Sequence, residues 1–146
     1  MPQRTRASLR LGLLLRQAHR RAAAALNDAL APLNLTSKHF GVLLLLDRDG
    51  VSTQRDLIRE TGSDKAGMVR TVEDLENVGY LSRTRSTTDK RVSELTLTAA
   101  GRAAFETATR AGGAAGRELF EPFTEAELEV FEDLLTRFVD AGRSHA

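Results

Sequence analysis

The chain has 146 residues, of which 41% are apolar and 28% charged, and its formal net charge is +1. That is enough chain for one compact domain with its own core, and with no run of about eighteen apolar residues it excludes a membrane-spanning helix. The absence of cysteine removes disulfides, thiolate zinc sites and thiol-based redox sensing together.

The sequence reads as six helices and one hairpin, mainly α with a small β element. The first helix covers about Thr5 to Ala31 and stops at Pro32, which cannot continue a helix interior. Leu11, Leu15, Ala18, Ala22, Ala25 and Ala29 recur at helical steps, and Leu26 and Leu30 widen the stripe. The run Leu11 to Leu15 is broken by Gly12 and followed by Arg16, with no small-residue cleavage site, so it does not read as a signal peptide and a cytoplasmic protein is expected. A second helix starts at the N-cap Thr36 and reaches about Asp47, before a turn at Asp47-Arg48-Asp49-Gly50.

Ser52 is expected to cap a short helix over Thr53–Thr61 that ends at Gly62. The next helix takes Ser63 or Asp64 as its cap and extends to about Asn77. Met68, Val72 and Leu75 form its buried face, which leaves Ala66, Val69, Arg70 and Glu73 outward and Lys65 on the flank. A short strand then carries Arg83 and Arg85, a polar loop ends in Asp89-Lys90-Arg91, and a second strand puts Ser93, Leu95 and Leu97 on one face. Thr98 caps a fifth helix that reaches about Leu119, where Pro122 forbids continuation. Gly112, Gly113 and Gly116 either let this helix approach another or kink it, and the kink is the favoured reading. The sixth helix opens on a capping box at Thr124–Glu127 and carries Leu128, Phe131, Leu134, Leu135, Phe138 and Val139, more apolar surface than one small core needs.

Charge is segregated along the chain. Up to Ala31 there are Arg4, Arg6, Arg10, Arg16, Arg20 and Arg21 against Asp28 alone, whereas the C-terminal segment concentrates glutamate. His19, His39 and His145 do not form a metal-ligand spacing, and no nucleophile–base motif or phosphate loop is present, so neither an enzyme nor a cofactor is expected.

Two helices joined at a Gly turn make a helix-turn-helix, whose second helix can enter a DNA major groove. Lys65 and Arg70 are its long donors. Ala66 and Gly67 allow close backbone approach, while Ser52, Thr53 and Ser63 sit near helix starts suited to phosphate oxygens. Arg91 near the hairpin tip can enter a narrow minor groove, and Asp89 has the position to orient it through a charge-assisted hydrogen bond.

From Leu35 to Gly101 the chain resembles a winged-helix regulator of the multiple antibiotic resistance regulator (MarR) family. The residues that carry this are Leu57, Gly62, Asp64, Met68, Arg70, Leu75, Glu76, Gly79, Leu81 and Arg83, then Asp89-Lys90-Arg91 and Leu97-Thr98 with Gly101. The resemblance implies a winged helix-turn-helix over 36–98, flanked by dimerisation helices over 1–34 and 99–146. It implies double-stranded DNA as partner, a homodimer on a pseudo-palindromic operator, and a cleft for a small phenolic or anionic effector that releases the DNA. Arg16, His19, Arg20 and His39 are the candidates to line that cleft. The family often has hydroxylated residues where this chain has Ala66 and Gly67, which moves weight to Lys65, Arg70 and the backbone. The expected function is therefore a transcriptional repressor, and the competing reading is a winged-helix module that binds protein instead of DNA.

Overall fold

The computed structural model describes residues 3–144, so His145 lies outside the described residues. Helix α1 (Gln3–Leu30) leads through a 3₁₀ turn at Ala31–Leu33 into α2 (Ser37–Asp49). Pro32 thus sits inside the tight turn that follows the helix. Asn34, at φ 55°, completes the reversal with its N–H on the Ala31 carbonyl. Asn27 of α1 accepts the Ser37 N–H at 2.6 Å, tying the two helices at the corner. Helix α2 runs on through Asp49 and ends at Gly50, so the expected turn at Asp47–Gly50 is mostly its last helical turn.

Helices α3 (Gln54–Thr61) and α4 (Lys65–Asn77) follow, then the antiparallel strands β1 (Leu81–Arg85) and β2 (Ser93–Leu97), α5 (Ala99–Leu119) and α6 (Glu125–Arg143). The register pairs Leu81 with Leu97 and Arg85 with Ser93. The result is the winged helix-turn-helix expected from the sequence, with long helices at either end of the chain.

The core gathers Leu30, Val42, Leu43, Leu46, Leu57, Met68, Val72, Leu75, Leu95 and Ala108. Phe40 and Phe105 stack at its edge with ring centres 5.6 Å apart, joining α2 to α5. The α1 stripe is buried only toward its C-terminal end. Leu9, Leu11, Leu13 and Leu14 are all more than half exposed, and α6 contains no buried residue. Helix α5 is continuous through Gly112, Gly113 and Gly116, where a kink was expected. At Gly112 a Cβ would meet Leu26 Cδ1 at 3.0 Å, so this glycine serves close approach of α1 and α5 inside a continuous helix.

The Leu97-Thr98-x-x-Gly101 exit from the hairpin has a full physical account. The Thr98 hydroxyl accepts the Gly101 N–H as an N-cap and donates to the Gly79 carbonyl. The Thr98 N–H donates to Tyr80 O at 3.1 Å. A Cβ at Gly101 would overlap that same Tyr80 carbonyl, so only glycine lets α5 start so close to the strand.

Candidate nucleic-acid interface

The two helices of the helix-turn-helix are positioned by their caps. Thr53, not Ser52, caps α3: its side chain accepts the Asp56 N–H at 3.1 Å, and Asp56 accepts the Thr53 N–H at 3.2 Å. Those bonds hold the Asp56 carboxyl below its usual range, the backbone hydrogen bond from Thr53 first, against the opposing effect of burial. Gly62, at φ 69°, ends α3 in the left-handed region that favours glycine. Asp64 then caps α4 by accepting the Gly67 N–H.

Ser52 is committed elsewhere. Its N–H donates to Leu95 O at 3.1 Å and its carbonyl accepts the Leu95 N–H at 2.7 Å. It adds a one-residue third strand to the hairpin and is buried. Sequence reasoning missed this because a strand of one residue leaves no alternation to read.

On α4, Met68, Val72 and Leu75 are buried as the spacing requires, together with Gly67 and Thr71. Lys65, Ala66 and Arg70 are exposed and Val69 is half-buried. Gly67 therefore leaves the outward face. A Cβ there would lie 2.7 Å from Asp64 Oδ1 and 3.2 Å from Ser63 Oγ, so the missing side chain makes room for the cap. Ser63 is half-buried, and its hydroxyl donates to the Asp64 carbonyl at 3.2 Å.

The hairpin tip is organised by one carboxylate. Asp89 Oδ1 accepts the Arg91 backbone N–H at 3.0 Å and its Nε at 3.2 Å, and Oδ2 accepts Nη2 at 3.4 Å. These bonds, the side-chain one first, hold the Asp89 carboxyl below its ordinary range. The Arg91 side chain is nonetheless 90% exposed. Behind Asp89, the Ser86 hydroxyl accepts the Thr88 and Asp89 N–H groups at 3.3 Å, and Ser86 is buried. Lys90 and Arg85 are exposed. Arg83 is engaged differently: its Nε lies 3.4 Å from Glu76 Oε2, which joins β1 to the end of α4.

The arrangement is a helix with outward cations beside a hairpin whose tip presents a held arginine. A MarR family model matches residues 33–92, the span of this unit up to the tip. A solved mutant of MarR from E. coli complexed with operator DNA is 26% identical, with a TM-score of 0.80, covering 90% of this chain and 95% of that one. A MarR family transcriptional regulator from Rhodococcus sp. RHA1 is also 26% identical, with a TM-score of 0.84, covering 90% of this chain and 93% of the other. Over residues 33–92 the chain is a MarR family winged helix-turn-helix. A third similar structure is BpsR from Bordetella bronchiseptica, whose DNA binding is regulated by 6-hydroxynicotinic acid. It is 28% identical, with a TM-score of 0.79, and the alignment covers 88% of this chain and 92% of that one. Members of the MarR family are transcriptional regulators, and DNA-binding regulation is the role this fold supports here.

Against the MarR fold, the residues expected to line an effector cleft separate. A cleft of about 480 Å³ opens between α1, the start of α2 and the α3–α4 turn. His19 lines it, but Arg16 does not, and Arg20 borders a shallower neighbouring depression that His19 shares. His39 is withdrawn into a structural bridge. Its Nδ1 accepts the Thr36 N–H at 3.0 Å, so the ring proton sits on Nε2, 2.9 Å from Asp74 Oδ2 on α4. The cations that do join His19 at the cleft are Lys38 and Arg70, which sequence spacing had no means to pair.

Proposed function

We propose that this chain is a homodimeric, sequence-specific repressor that sets α4 into the major groove of each operator half-site and the β1–β2 wing into the adjacent minor groove. The observation that carries this is the wing tip: Arg91 is almost fully exposed yet held by a carboxylate that Ser86 in turn supports. An isolated exposed ion pair contributes little stability, so its use lies in presenting a cation ready for phosphate or minor-groove potential. Lys65, Ala66 and Arg70 would supply the contacts of α4, with Thr53, Ser63, Arg85 and Lys90 toward the backbone. Ser52, Gly67 and Arg83 would shape the site without touching DNA, and Asp89 would act through Arg91.

Support for the dimer comes from surfaces the single chain leaves open. The half-exposed leucines of α1 sit among exposed arginines, and the exposed Val130, Leu134 and Phe138 of α6 sit among exposed glutamates. Apolar faces of opposite charge on the two ends of one chain suit antiparallel pairing with a second copy. The E. coli relative, solved in complex with operator DNA, supports the DNA partner. A two-fold dimer would meet a pseudo-palindromic operator, and such a DNA partner is consistent with work in the cytoplasm.

The effector reading rests on the cleft beside α4. His19, Lys38 and Arg70 face a space that suits a small anionic or phenolic compound, and BpsR sets a precedent for control by an acid of that size. Arg70 belongs both to the cleft and to the outward side of α4, so an anion there would compete with DNA for one guanidinium.

The test is a fluorescence-anisotropy titration against DNA upstream of the chain's own gene, at two salt concentrations. Tight binding that survives competitor DNA and weakens with salt supports the repressor reading. Affinity equal to that for random DNA would overturn sequence specificity, and no salt-dependent affinity at all would point to a protein partner.

A further inference from the structure

Helix α6 contains no buried residue, and ring contacts near its start and an ion pair at its end tie it to the rest of its own chain. At its start, Phe131 lies against Phe120 and Phe123, with ring centres 6.4 and 6.0 Å away. At its end, Arg143 Nη2 donates to Glu60 Oε2 at 2.8 Å, across 83 positions of sequence. Glu60 belongs to the last turn of α3, immediately before the Gly62 elbow of the helix-turn-helix.

An acid at that place opposes the helix dipole, whose C-terminal end is negative. It is compensated by guanidinium groups. Besides Arg143, Arg48 Nη2 stands 3.9 Å from Glu60 Oε1, and Arg48 is itself fixed by Asp49 at 2.8 and 3.0 Å. The Glu60 side chain is 23% exposed, whereas Arg143 is 54% exposed, so the acid is the seated partner and the arginine reaches in. Arg143 also stands in the last turn of α6, where a cation suits the dipole. A pair of this kind adds little stability, but it fixes the direction of α6 relative to the helix-turn-helix.

We propose that Arg143 and Glu60 are positioning residues: their ion pair latches α6 to the elbow of α3, and so sets the separation of the two α4 helices in the dimer. The latch rests on the dimeric, DNA-binding reading above. It determines which half-site spacing the dimer accepts, since recognition helices must stand about one helical turn, roughly 34–36 Å, apart along the duplex.

Because the chain lacks cysteine, Glu73→Cys on the exposed side of α4 gives one spin label per protomer. The distance between the labels in the dimer is then read by pulsed electron paramagnetic resonance. The parent should give a narrow distribution, Glu60→Gln and Arg143→Gln a broad or shifted one, and Arg143→Lys, which keeps the charge, a narrow one. The unlabelled proteins are titrated on operators whose half-sites are moved by about two base pairs. Both Gln variants should lose about fivefold of the parent's preference for the native spacing, the size of effect of a single weak ion pair.

The two Gln changes alter net charge in opposite directions, so a shared loss of spacing preference cannot come from general attraction to DNA. Unchanged distances in both Gln variants would overturn the latch. Absence of any inter-protomer distance in the parent would overturn the dimer and the latch with it. A distance that responds as expected in a protein without DNA affinity would retain the latch and remove the DNA reading.

Discussion

Arg91 and Asp89 form a small device in which one carboxylate collects a backbone N–H and a guanidinium from the same residue two positions on. Replacing Arg91 by Ala should weaken binding to most DNA sequences and lower the salt slope by about one. Titration at two or more salt concentrations checks this, and full affinity at physiological salt would remove the wing from the interface. The carboxyl of Asp89 is held below its ordinary range, so its bonds are intact above the usual aspartate value of about 3.9 and are lost as pH falls through the lower, folded value. An NMR titration of the Asp89 carboxyl carbon should therefore show a depressed midpoint that returns to the ordinary range in Arg91→Ala. Gly101→Ala is a test of the hairpin exit. Its Cβ would strike backbone rather than a flexible side chain, so the cost should reach about 1–3 kcal/mol by urea denaturation. Gly112→Ala, which meets only the end of Leu26, should cost less. The Asp-x-Arg pair was legible in the sequence because both partners are local. The Tyr80 contact of Gly101 was not, since it joins a strand start to a helix start across twenty-one positions in three dimensions.

Helix boundaries at the scale of elements were largely readable, because caps are written in three or four consecutive residues. Asp64 for α4, Thr98 for α5 and Thr124 with Glu127 for α6 all stand where the sequence puts them. Ser52 was misread because it and Thr53 are both competent caps, and only the pairing with Leu95 decides between them. His39 shows the same limit. Its role as the fourth residue of a capping box is local, but its bond to Asp74 spans 35 positions and couples α2 to α4. His39→Ala removes both, and the expected loss is about 1–2 kcal/mol in thermal or urea unfolding. Hydrogen exchange should also speed up at the start of α2. A loss confined to α2, with α4 unaffected, would show that the Asp74 bond does not couple the two helices.

The whole molecule presents long apolar surfaces on α1 and α6 that the described residues leave uncovered. Phe138→Glu, on the most exposed of the large apolar α6 side chains, should turn a dimer into a monomer by sedimentation equilibrium, since a charge would enter an apolar interface without a partner. An unchanged mass would place the interface elsewhere. If the paired protomers need each other to order α1 and α6, the same change should also lower the melting temperature and make it depend on protein concentration.

The sequence by itself determined the helices, the hairpin, the buried face of α4 and the held arginine at the wing. Each of these is set by spacing, capping or neighbours a few residues apart, where chain connectivity does the placing. Tertiary structure alone decided that Ser52 joins the sheet, that His39 bridges two helices while Lys38 and Arg70 meet His19, and that Arg143 reaches Glu60. Those contacts join residues far apart in the chain, and which of several competent side chains meets a given partner depends on how the helices pack.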